Sequence, residues 1–392
     1  MRSNLLKSAA SVLAMLAMLA FVAGTALADW KMSIQTDGTF GNYSEDNDVD
    51  AAGGVAGDNS GGDKAQLLTG DYEANLNFSA SSGPVDWKLR LRTRDDSGGT
   101  LKTHRTSLTY HVTDQVDLQF DGRSFGGPSM AVGDVSGVIG RFAFGDATAY
   151  ISMEDKSFLW INFNAGAAVV GLGFGDECLN NISIADEPAG PGDPTASITC
   201  GLYLDAVGDP HTADKNQGSI IVHANGKAGA IAWGVQYVKD SGVYQATKAG
   251  PPAADDDKDL SSTGIELGVK WSGPATVGFT YVTITQDVTK DAAYTGPSPD
   301  VSEARMKLGV AMGGLAVAYT SVSSELKAMS FKGTVDTTNI DASYAIEVAP
   351  GVVIGPELRI ESKEIKSDDG FGTVDKMTTD KQLIGIAYSA NF

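Results

Sequence analysis

From Val85 to Arg94 the chain alternates strictly, with Asp86, Lys88, Arg90, Arg92 and Arg94 on one parity and Val85, Trp87, Leu89 and Leu91 on the other. In an extended backbone successive side chains point to opposite faces, so this run presents a ladder of four cations on one face and an apolar surface on the other. Cations at such spacing repel one another and are tolerable only in a wide wetted space or opposite acids. The next runs add Arg105 and His111, then Asp117, Gln119 and Asp121, to the same non-apolar face. These residue types steer and bind ions. They do not form a nucleophilic constellation: the four histidines, at 104, 111, 211 and 223, have no serine and acid partner in a recognisable order. No enzyme is expected.

The elements that must hold such a ladder are strands. Trp30, Met32, Ile34 and Phe40 alternate with Lys31, Ser33, Gln35, Asp37 and Thr39, and Tyr72, Ala74, Leu76 and Phe78 with Asp71, Glu73, Asn75 and Asn77. The same period recurs from Ile231 to Tyr237, from Ile265 to Trp271, from Ala304 to Met312 and from Gln382 to Phe392. Alternation in segments of about ten residues, separated by turn residues, is the pattern of strands that divide lipid from water. Short turns at Ser81–Pro84, Thr113-Asp114, Asn225-Gly226, Ser272-Gly273, Gly313-Gly314 and Ala349–Gly351 take turns with long polar segments at 41–69, 124–156, 175–217, 239–261, 287–301 and 364–379. Counting every run gives 17 strands, and a barrel with both ends on one side needs an even number. Assigning Ser323 to Thr338 to an outer loop with hairpin character leaves about 16. Pro356, inside a strand of a wall without edges, predicts a local bulge.

Arg2 and Lys7 precede an apolar run from Ala9 to Val22, and Ala26-Leu27-Ala28 fits a small-x-small cleavage site, so residues 1–28 read as a secretory signal peptide. Residues 29–392 are then one transmembrane domain. Loss of the signal takes the formal charge from −20 to −22, which argues against nucleic acid as a partner. No later stretch approaches the ~18–20 apolar residues of a helical span. Cys178 and Cys200, the only cysteines, lie in a Gly/Pro/Asp-rich segment and are expected to pair in an oxidising periplasm, an effect of roughly 3 kcal/mol in the chain-entropy model. A metal pair there lacks a matching His/Cys set. No cofactor is expected. The acidic segments Glu45–Asp48, Asp255–Asp257 and Asp368-Asp369 offer the hard oxygens that Ca²⁺ takes but lack the spacing of a dedicated loop, so any Ca²⁺ would be loosely bound.

The terminal strand ends on Phe392, with Ile384, Ile386, Tyr388 and Ala390 on its face. It resembles the sorting signal of bacterial outer-membrane β-barrels, which the barrel-assembly machinery reads. Signal peptide, strand number, terminal aromatic and long third loop together resemble the general porins of Gram-negative outer membranes. The resemblance implies an all-β transmembrane antiparallel barrel whose third outer loop folds inward, and a water-filled channel for passive diffusion of small hydrophilic solutes and ions. It also implies a homotrimer among outer-membrane lipids. In such porins acids on the third loop face basic residues of the wall. Here that loop is placed at Ser124 to Lys156 with Asp134, Asp146, Glu154 and Asp155, opposite Lys88, Arg90, Arg92, Arg94 and Arg105, with Asp117 and Asp121 also lining the pore. Arg123 and Arg141 depart from that pattern. The alternatives are a solute-specific channel for sugars or anions, or a barrel-anchored structural or adhesive surface protein.

Overall fold

The structure, a computed structural model, describes residues 29–50, 64–94, 102–120, 129–130, 138–152, 158–175, 179–180, 215–245, 257–288, 300–328, 331–368 and 374–391. Its first strands are β1 (Asp29–Asp50), β2 (Lys64–Ser82), β3 (Val85–Arg94), β4 (Lys102–Thr113), β5 (Val116–Phe120), β6 (Ser129–Met130) and β7 (Val138–Phe144). Then come β8 (Ala147–Ser152), β9 (Phe158–Ala165), β10 (Ala168–Gly175), β11 (Leu179–Asn180), β12 (Lys215–Ala228), β13 (Ile231–Gln245) and β14 (Asp257–Ser272). The last are β15 (Thr276–Val288), β16 (Asp300–Met312), β17 (Leu315–Ala328), β18 (Phe331–Tyr344), β19 (Ile346–Ala349), β20 (Val352–Asp368) and β21 (Val374–Asn391). The expected signal segment and Phe392 lie outside the described residues.

Neighbours along the chain pair antiparallel, and β1 closes on β21 from Gln35↔Asn391 to Asp50↔Lys376. β18 and β19 are one wall strand interrupted at Ala345, while β6 pairs only with β11 in a separate sheet, so the barrel wall has 18 strands. The expected count of about 16 is corrected by the hairpin β7–β8, which falls inside the segment 124–156 taken as a loop. Gly140, Ala143, Ala147 and Ala149 blur the alternation there, because small residues carry little polarity signal on either face. The parity argument holds. Ser323 to Thr338 is paired wall, with β17 and β18 in register from Ser323↔Asp336 to Ala328↔Phe331.

Side-chain exposure fixes which face is which. On β14, Ile265, Leu267, Val269 and Trp271 are exposed while Glu266 between them is only 6% exposed. The apolar parity therefore faces outward on the convex side, and the polar parity faces the lumen. No helix among the described residues is long and apolar enough to cross a membrane. A closed wall leaves no backbone edge unpaired in hydrocarbon, and a banded barrel of this kind is the form that proteins of the Gram-negative outer membrane take.

Eight tight hairpins gather at one end, with turns between β2 and β3, β4 and β5, β7 and β8, β9 and β10, β12 and β13, β14 and β15, β16 and β17, and β19 and β20, while β17 and β18 stay paired up to Ala328↔Phe331 at the other end. The turn expected at Asn225-Gly226 lies instead at Gly229-Ala230, and Asn225 and Gly226 are inside β12. At Pro356 the register with β21 runs on unshifted, through Gly355↔Ala387, Pro356↔Ile386 and Glu357↔Gly385. The irregularity appears on the other side, where pairing with β18 ends at Ser343↔Glu357 and resumes as Ile346↔Ile354. Proline has no N–H to give a ladder, so the gap replaces the expected bulge. Gly355 fits the gap because a Cβ there would lie 1.6 Å from the Tyr344 carbonyl oxygen.

Far from the turns, the outward face of β17 to β21 changes character. Tyr319, Ile340, Ile360 and Ile384 give way to Ser321, Thr338, Ser362 and Asp380, and then to charge. Here Glu325 is clamped by Lys327 and by Lys332 at 2.9 Å, and Glu364 by Lys366 and by Lys376 at 2.6 Å. These charges stand above the apolar band. Hydrogen bonds from the paired lysines hold both carboxyls below the ordinary glutamate range. A carboxyl whose folded value is lowered stabilises the fold above its unfolded value and loses that contribution as pH falls through the lowered one. The protection factors for amide hydrogen exchange at 321–328 and 360–368 are therefore expected to fall as pH drops below the glutamate range. Lys332→Gln combined with Lys376→Gln should show the lower protection already at neutral pH.

Candidate functional site

The inward parity of β3 carries Asp86, Lys88, Arg90 and Arg92, as alternation requires once Leu89 and Leu91 face out. Cross-strand partners on β2 are Ser81, Ser79, Asn77 and Asn75. Arg92 pairs with Glu73, and the Arg90 Nε donates to Asn77 Oδ1 at 2.8 Å. Asn75 Nδ2 donates to the other Glu73 oxygen at 2.8 Å. The upper rungs of the ladder are thus fastened to the neighbouring strand. Arg94 falls opposite Glu73 and Arg105 opposite Arg90 in register.

Nearer the turns, Asp86, His111, Asp117 and Arg141 from four adjacent strands form a continuous cluster. His111 Nδ1 lies 2.7 Å from Asp117 Oδ1, and His111 Nε2 lies 3.0 Å from Asp86 Oδ2. Arg141 Nη1 donates to Asp117 Oδ2 at 2.7 Å. Arg141 stands at the centre of β7, directly opposite Asp117 on β5. It does not sit on a loop blurring an acidic side.

A second charged sector runs from β16 to β21. Glu303 pairs with Arg305, Glu357 with Arg359, and Glu361 with Lys381 at 2.7 Å. Thr39 Oγ1 on β1 donates to the other Glu357 oxygen at 2.6 Å. The spacing Glu357-x-Arg359-x-Glu361-x-Lys363 is as regular as the ladder on β3 and could have been read from the sequence.

Between those sectors, β8 to β15 present inward a largely apolar and hydrogen-bonded wall that includes Glu266. Trp160, Ile221, Val238 and Val282 point inward, each 1% exposed or less. Trp160 Nε1 donates to Asn162 Oδ1 at 2.6 Å, and His223 Nε2 lies 3.0 Å from the same oxygen. Both rings lie flat over β10: a Cβ at Gly171 would fall 1.9 Å from His223 Nε2. Gln236 Nε2 donates to Glu266 Oε2 at 2.5 Å. The sequence hid this sector because Phe158 to Phe163 is apolar on both parities.

The expected opposing loop is not borne out as drawn. Asp146 sits in the β7–β8 turn, at the opposite end of the wall from the long connections. Asp121, Asp134, Glu154 and Asp155 lie outside the described residues, as do Cys178, Cys200 and Arg123. Glu45–Asp48 belongs to β1 and pairs with β21, so it is not an acidic loop. Among the described residues no group of three or more His, Cys, Asp or Glu side chains is disposed to hold a metal.

No protein-family model matches the chain, and no curated protein does. Solved structures similar to it include the outer-membrane protein OmpT of Vibrio cholerae, at 10% identity and TM-score 0.46, covering 94% of this chain and 99% of that one. The outer-membrane channel DcaP of Acinetobacter baumannii is similar at 14% identity and TM-score 0.45, covering 94% and 98%. An anion-selective porin from Comamonas acidovorans is similar at 10% identity and TM-score 0.42, covering 93% and 100%.

The Glu73–Arg92 pair gives a direct handle on the lumen. Both side chains are only about one-fifth exposed, so the pair is screened less than a surface ion pair, and Glu73→Gln should lower the unfolding free energy measurably. It should move the zero-current potential in a salt gradient toward anions, because one fixed negative charge leaves the wall.

Proposed function

We propose that the chain forms a water-filled channel in the outer membrane of a Gram-negative bacterium, through which small hydrophilic solutes and ions diffuse passively. The observation that carries this reading is a closed 18-strand wall with an apolar outside and a charged, hydrogen-bonded inside. Barrels of 16 to 18 strands leave an aqueous passage, whereas eight strands fill their own interior. Non-specific passage is favoured over a sugar-specific path because the inward aromatics Trp160 and Phe158 are buried, leaving no exposed aromatic file there for a sugar to follow. A preference for anions is the second reading, favoured by Lys88 and Arg90, whose cross-strand partners on β2 are the neutral Ser79 and Asn77.

The chain is further proposed to act as a homotrimer. The support for it is the sequence's resemblance to the trimeric general porins. Cross-linking in mild detergent should stop at three copies; a species that stops at monomer contradicts the proposal.

Single-channel recording tests the channel itself. Arg90→Ser with Arg92→Ser should raise conductance and shift the reversal potential toward cations, since two fixed positive charges leave the wall. The outward pair Leu89→Ala with Leu91→Ala should leave both unchanged. A wild-type protein that conducts no current in planar bilayers overturns the reading.

A further inference from the structure

The cluster at the turn end of the lumen carries an inference beyond passive conduction, and it rests on the channel reading above. His111 is placed so that each ring nitrogen meets a carboxylate, Asp117 at 2.7 Å and Asp86 at 3.0 Å. A neutral imidazole has one N–H and one lone pair, so it can donate to only one of them. The second nitrogen would then turn its lone pair on a carboxylate oxygen, an arrangement without a hydrogen. Only the imidazolium, with two donors, fits the observed geometry.

The surrounding charges make the proton consequential. Facing His111 are Asp86 and Lys88 from β3, Asp117 from β5 and Arg141 from β7, with Asp114 in the adjoining turn. Arg141 is committed to Asp117, and it lies opposite Tyr150 on β8. With His111 charged, the two carboxylates of the cluster are balanced by two cations. Without the proton the cluster is left one negative charge in excess, on an exposed rim.

We propose that His111 is a proton-linked clasp at the short-turn mouth: while protonated it ties β3 to β5 through Asp86 and Asp117, and its deprotonation leaves the mouth negative and more permissive to cations. The bridge is local. It spans β4 and needs no movement of the rest of the wall.

The test is the reversal potential of the full-length channel in a potassium chloride gradient, scanned from about pH 5 to about pH 9, where histidine is the side chain that ordinarily titrates. Wild type should show one step toward cation preference, fitted by a single proton. His111→Gln should remove the step and hold the alkaline value throughout; His111→Lys should remove it and hold the acid value. Coincident pH profiles for wild type and His111→Gln overturn the proposal while leaving the channel reading intact. Nitrogen NMR of histidine-labelled protein in micelles gives a readout that needs no current. The signal lost in His111→Gln should show both ring nitrogens protonated at neutral pH, and a neutral ring there overturns the clasp even if no channel opens.

Discussion

Hydrocarbon offers no hydrogen-bond partner, so every backbone N–H and C=O at membrane depth must find one within the protein. The pairing of β1 with β21 is what meets this demand, since without it the sheet would expose two edges to lipid. Closure also fixes register. A slip by one residue would turn Phe40 and Ile386 into the lumen and Thr39 and Glu357 into the membrane, so each strand is held by the cost of misplacing its charges. Irregularities obey the constraint too. Pro356 keeps its ladder to β21 and breaks only the one facing Ala345, and the bulge at Gly41/Asn42 shifts the register to β2 without touching that to β21.

Once the wall is closed, the concave side must house the charges that the convex side cannot. The sequence places these so that most find partners next door. Arg92 meets Glu73 on the adjacent strand, Arg141 meets Asp117, Lys381 meets Glu361, and Arg359 meets Glu357 two positions along its own strand. Neighbouring pairs of opposite sign act as short dipoles whose field fades quickly with distance.

The barrel was legible because lipid and water impose the same period-two code on every long strand. Runs such as Ile265 to Trp271 and Ala304 to Met312 are therefore unmistakable. Legibility failed where that code is weak. The β7–β8 hairpin is built on Gly140, Ala143, Ala147 and Ala149, whose side chains are too small to report a face, so two strands were absorbed into a loop. The same misplacement carried Asp146 to the wrong end of the barrel. The inward sector around Trp160 and His223 was invisible for the opposite reason, since Phe158 to Phe163 is apolar on both faces. The ladder on β3 and the inward position of Asp117 were read correctly, because strict alternation with bulky Trp87, Leu89 and Leu91 leaves only one face for them. What alternation cannot give is partnership across strands, and the joining of His111 to both Asp86 and Asp117 depends on register alone.

Register also explains why the histidine cluster stands at the turn end. A tight hairpin joins β4 to β5, with Thr113 Oγ1 accepting from the Gln115 and Val116 amides in the turn. The His111 amide donates to the Pro84 carbonyl at 2.7 Å, which ties the β4 end to the preceding turn. An imidazole can bridge two carboxylates only if both are held within a few tenths of an ångström, and a wall anchored on both sides by short turns provides that rigidity. At the opposite end seven residues, 95–101, separate β3 from β4, so no tight turn sets their offset there. The cluster accordingly sits where the backbone is most constrained, so a change in one proton alters charge at the mouth rather than the shape of the wall.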